Sequence, residues 1–158
     1  MKNSYLLLFL LVGLSYQSCS DDALEELPAA DARIVWTGST VTFEKAEGAS
    51  PTEANNQDRL TNNVWLTRGN SGGQIYNAKT ENMFDKDTSP AGTQWALGSI
   101  NDIDNLSFKD FRDAIKPENV IGKDLVLFLV EDNIFLSVKF TKWSSGKKGG
   151  FAYERSSQ

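Results

Sequence analysis

Three arginines in this chain stand near large aromatic side chains: Arg59 and Arg68 flank Trp65, and Arg155 follows Tyr153, with Trp143 a short loop upstream. A guanidinium plane stacks on an aromatic face, and its N–H fork clamps a carboxylate through parallel hydrogen bonds. Asp58 is an obvious acid for one of them. As a ligand surface, the set Asp58, Arg59, Arg68, Trp143 and Tyr153 would stack sugar rings on Trp143 and Tyr153, with Asp58 and Arg59 supplying hydrogen bonds. As packing, the tryptophans would fill a core while the Asp and Arg side chains tie loops to strand ends, since large aromatics are core residues first. Trp143 is the better binding candidate of the set. It precedes SSGKKGG (144–150), a polar glycine-rich stretch expected to be an exposed, mobile loop. Lys147 and Lys148 in that loop suit either an anionic glycan or a soluble hairpin tip.

What is missing narrows the chemistry. The chain has no histidine, which excludes histidine-based triads, His-ligated zinc and histidine-held haem. G-x-S-x-G and the phosphate-cradling G-x-x-x-x-G-K-[ST] are absent as well. An enzyme built from these residues would use carboxylates, as glycosidases do, and a carboxylate pair leaves no sequence signature. Calcium is the one metal that the composition permits, because it needs only oxygen ligands. NDIDN (101–105) and FDKDTS (84–89) space their carboxylates suitably, yet neither follows the EF-hand pattern. Acidic loops in an acidic protein are usually solvated turns, so no cofactor and no metal ligands are assigned.

The one cysteine, Cys19, follows a leader. Lys2 precedes YLLLFLLVGL (5–14), an apolar run about half as long as a membrane-crossing helix needs. A positive charge, a short apolar core and small residues at Ser15 and Ser18 form a signal-peptide pattern over 1–18. With Cys19 directly behind, the segment resembles the lipobox of bacterial lipoproteins, although Tyr16 and Gln17 depart from its usual residues. The resemblance implies a cysteine acylated on sulfur, with palmitate-like chains, that becomes the first residue of the mature protein. Each buried methylene adds about 0.8 kcal/mol to membrane attachment. Residues 19–32 read as a flexible acidic tether. Cys19-Ser20-Asp21-Asp22 further resembles the surface-export signal of Bacteroidetes lipoproteins, which implies a lipid-anchored outer-membrane location facing the cell exterior.

Sixteen basic against 21 acidic residues give a net charge of −5, which argues against nucleic acid as a partner. The expected partners are the membrane, through Cys19, and a glycan or surface protein.

Residues 33–158 suit one domain with a single core. Their apolar pattern has period two and is rich in β-branched and aromatic residues. Strands are expected at 33–38, 40–46, 63–68, 73–78, 94–99, 124–130, 133–143 and 150–156. Ile134, Leu136, Val138 and Phe140 should share a core face, opposite Ser137, Lys139 and Thr141. LVLFLV (125–130) is apolar on both faces and should be a covered, central strand, joined to the next by a tight hairpin at Glu131-Asp132. One helix of two to three turns is expected, capped by Ser107 with Asp110 three residues on and ended by Pro117. The fold class is therefore all-β: a two-layer β-sandwich of jelly-roll type with one short helix, or alternatively a β-barrel.

An opening W-T-G with a following T-F, then Q-D-R (57–59), V-W-L-T-R (64–68), T-x-W-A (93–96), F-T-x-W (140–143) and G-G-F-x-Y-x-R (149–155) resemble a family of secreted and surface bacterial β domains. The resemblance spans nearly all of 35–156 and brings no activity with it. The function expected is a membrane-anchored, non-catalytic binding module for glycan or cell-surface ligands. The alternatives are a structural part of an outer-membrane assembly and a carboxylate-based glycoside-acting enzyme.

Overall fold

The computed structural model describes residues 32–158. The leader at 1–18, Cys19 and all but the last residue of the tether lie outside the described residues. Among the described residues, nine strands form two largely antiparallel sheets, making an all-β sandwich with little helix and no closed barrel. The strands are β1 (Ile34–Trp36), β2 (Thr40–Lys45), β3 (Asp58–Arg59), β4 (Trp65–Arg68), β5 (Ile75–Asn77), β6 (Thr93–Leu97), β7 (Asp124–Leu129), β8 (Ile134–Trp143) and β9 (Phe151–Ser156).

The large sheet runs in the order β2-β9-β8-β7-β6, so its last four strands form a consecutive meander. β1 pairs in parallel with the first residues of β8, and β9 pairs with the later residues of β8 across a bulge between Phe140 and Lys142. The smaller sheet is β3-β4-β5. Eight strands stand where the period-two pattern predicts them. β3 is two polar residues long and carries no apolar alternation that could announce it.

Strand β8 shows why period two is readable. Ile134, Leu136, Val138 and Phe140 are buried on one face while Lys139 and Thr141 are exposed on the other. β7 lies between β6 and β8 with both faces covered. Leu125, Leu127 and Leu129 point into the core, and on the far side Phe128 stacks on Phe135 at 4.2 Å with Phe108 edge-on to both. The hairpin pairs Leu129 with Ile134, and Asn133 takes the left-handed conformation (φ 50°) that asparagine tolerates. The core is aromatic. Trp95, Phe111, Phe140, Phe151 and Tyr153 are all essentially buried and meet ring to ring.

The helix departs from expectation. α1 is a single turn, Phe111–Ala114. Ser107 does not cap it, because the backbone of Lys109 is paired with that of Trp95 and the turn begins only after Asp110. The start of α1 is instead fixed by Ser89, whose Oγ accepts from the Phe111 N–H while its own N–H donates to Asp110.

Candidate ligand-binding cleft

The five residues singled out from sequence do not converge on one site. Asp58 and Tyr153 meet in the interior, where Asp58 accepts the Tyr153 hydroxyl at 2.7 Å and a two-nitrogen clamp from Arg155 at 2.7 and 3.0 Å. This contact bolts β3 of the small sheet to β9 of the large one. Tyr153 is only 1% exposed, so the expectation that it stacks on a sugar is corrected: its ring belongs to the core. Burial, with the Asp58 charge and hydrogen bond, pushes its hydroxyl well above the ordinary tyrosine range. Arg59 is exposed on the opposite side of β3, stacked 4.1 Å over Trp65 and hydrogen-bonded to Gln57. A wide groove of about 780 Å³ passes Trp36, Arg59, Trp65 and Asp132. Its accessible aromatic, Trp65, already carries both Arg59 and, at 4.8 Å, Lys79.

Arg68 and Trp143 do come together, with the guanidinium 4.0 Å over the indole. They line a cleft of about 300 Å³ together with Gln74, Phe84, Arg112 and Ile121. Its position follows from local sequence. Arg68 ends β4 on the same face as Leu66 and turns inward, only 4% exposed. There it donates to the carbonyls of Gly73 (2.8 Å), Ser144 (3.0 Å) and Gly150 (2.8 Å). One side chain thus pins the loop after β4 to both ends of the loop between β8 and β9. Those loops touch backbone to backbone. A Cβ on Gly149, whose φ is +68°, would lie 1.9 Å from the Gly69 carbonyl oxygen, so glycine is required there. The 144–150 loop is accordingly tied down at its ends: Gly149 and Gly150 are buried, Ser144 Oγ bonds Glu47, and the tip 145–148 is exposed.

Phe84 owes its place to another glycine. Its ring lies directly on Gly73, where a Cβ would fall 2.0 Å from a ring carbon. With Ile121, 52% exposed, it makes an apolar wall. Gln74 is 3% exposed; its Nε2 donates to the Asp85 and Thr88 carbonyls, while its Oε1 is buried with no donor. Leaving such an acceptor unmet costs about 1–3 kcal/mol.

The charge at this site is one-sided. Among the described residues no carboxylate forms an ion pair with Arg68, Arg112 or Lys45. Burial lowers the Arg68 pKa to about 10. Lys45, fully buried at the end of β2, donates to the Gly149 carbonyl, and burial together with the Arg68 charge lowers its pKa. Glu118 is the one carboxylate among the residues lining the cleft. No group of three or more His, Cys, Asp or Glu converges among the described residues. In the two acidic loops, Asp104 pairs with Arg33, Asp87 with Lys86, and Asp85 accepts from the Asp87 N–H.

Sequence reasoning reached Arg68 and Trp143 but missed Gln74, Phe84 and Arg112. Arg112 was visible only as a charge beside a helix face, and nothing local marks a glutamine whose amide is half satisfied. The chain matches no protein-family model, no curated protein and no solved structure, so the reading of the cleft stands on its chemistry.

Proposed function

We propose that this protein is a surface-anchored lipoprotein, held in the membrane through acylated Cys19, whose β domain binds a glycan without catalysing its cleavage. The observation that carries the reading is the cleft beside Trp143. It combines an apolar wall from Phe84 and Ile121, guanidinium donors on Arg68 and Arg112 and a buried Gln74 acceptor that meet no partner among the described residues, and a rigid backing of docked loops. Sugars present apolar C–H faces and hydroxyls together, and a small apolar pocket with a few converging polar groups suits them. Hydrolysis by carboxylates needs two of them about 5–10 Å apart, whereas Glu118 stands alone in this lining. A glycan array probed with the detergent-solubilised full chain tests the reading. Retention of specific glycans, lost on Phe84→Ala without a change in the unfolding midpoint, is the expected result. Retention unaffected by Phe84→Ala would move the ligand out of this cleft.

A further inference from the structure

We infer that the sugar entering this cleft is an acidic one, carrying a carboxylate that Arg68 and Arg112 receive. The inference rests on the binding-module reading and names its ligand class. A buried charge is costly unless an opposite charge meets it. The molecule itself supplies the contrast. Arg155, the other largely buried guanidinium, has a carboxylate clamped in its fork. Among the described residues Arg68 has none, and Lys45 beside it has none either.

Arg68 thus sits close enough to Lys45 to disfavour its charge, and the two are met by backbone carbonyls and, for Arg68, the Trp143 ring rather than by an acid. Arg68 spends Nε and Nη1 on three carbonyls and leaves Nη2 without a hydrogen-bond partner among the described residues. Arg112, exposed on α1, is a second lining residue with no ion-pair partner among the described residues. An entering carboxylate therefore meets charge-assisted donors in a partly desolvated place, the setting in which such bonds are strongest.

Gln74 separates a sugar acid from a bare oxyanion. Its Oε1 meets no donor among the described residues, and Gln74 lines the cleft, so a ligand hydroxyl reaching it would supply the missing donor. Inorganic sulfate brings only acceptors. A uronic or sialic acid brings a carboxylate, hydroxyl donors and an apolar ring face for Phe84 and Ile121.

The test uses the detergent-solubilised full chain on an array of uronate-containing, sialylated, sulfated and neutral glycans. Titrations follow with the best acidic glycan and its carboxyl-reduced form. The expected result is roughly tenfold or greater preference for the acid, weakening with added salt and falling by on the order of tenfold in Arg112→Gln. Glu118→Gln should tighten it, and Lys139→Gln, an equal charge loss outside the cleft, should leave it unchanged. Equal affinity for acid and reduced forms overturns the inference while the glycan reading stands. Preference for sulfated over carboxylated glycans, or indifference to Arg112→Gln, overturns it likewise. Silence from every glycan removes both readings.

Discussion

Asp58 receives three donors in a nearly closed space, and that makes it a tie between the two layers. Its side chain is 8% exposed and that of Arg155 12%. Removing the acid leaves a buried guanidinium and a buried phenol unmatched. Asp58→Ala should therefore cost about 3–5 kcal/mol, read as a lower urea midpoint of the full chain. Tyr153 adds a pH dependence with a definite sign. Its folded pKa lies above the ordinary value of 10.0, so above pH 10 the unfolded chain gives up this proton while the folded one keeps it. The contribution of the hydroxyl is whole below pH 10 and is lost as pH rises toward the folded pKa. Wild type should thus lose stability relative to Tyr153→Phe between pH 9.5 and 11, compared by urea unfolding at each pH; parallel curves would contradict the assignment. That Asp58 would hold an arginine was legible from composition. Which arginine was not: Arg59 is its neighbour, but adjacent strand residues point to opposite faces, and only the β9 register delivers Arg155.

At the level of elements, the strands were the readable part, because alternation on one wet and one dry face leaves its period in the sequence. Contacts between loops leave no period. R-G-N-S-G-G and S-S-G-K-K-G-G look like two flexible linkers, yet they pack against each other and use their glycines for closeness rather than mobility. Gly149→Ala should destabilise by more than about 2 kcal/mol, since a left-handed residue gains a Cβ that also strikes the Gly69 carbonyl. Scanning calorimetry reads the first effect, and glycan retention reads the accompanying displacement of Ser144 and Gly150 from Arg68. Lys45 points the other way. Replacing a buried, acid-free cation by an apolar chain of similar length relieves desolvation and repulsion. Lys45→Met is therefore expected to raise stability at pH 7 by about 1–2 kcal/mol while weakening the hold on an acidic glycan. A destabilised variant would mean that the Lys45 bond to the Gly149 carbonyl outweighs its desolvation.

For the molecule as a whole, a chain of net charge −5 keeps Arg68 and Arg112 at one cleft with no ion-pair partner among the described residues, which favours an acidic ligand there. The anchor proposed at Cys19 decides where that cleft is used. The stretch between Cys19 and Arg33 carries five acidic residues, and fully extended it reaches at most about 50 Å, enough to let the domain sample polymers standing off a membrane while remaining attached. Attachment should then depend on one sulfur atom. Cys19→Ser, expressed in a bacterium that acylates lipoproteins, should take up no labelled fatty acid and should leave the membrane fraction, while its glycan preference in solution stays that of wild type. Retention on membranes without label would show that something other than a lipid on Cys19 holds the protein. Loss of glycan binding together with the anchor would mean that recognition depends on presentation at the surface, because no residue of the cleft is altered by the change at position 19.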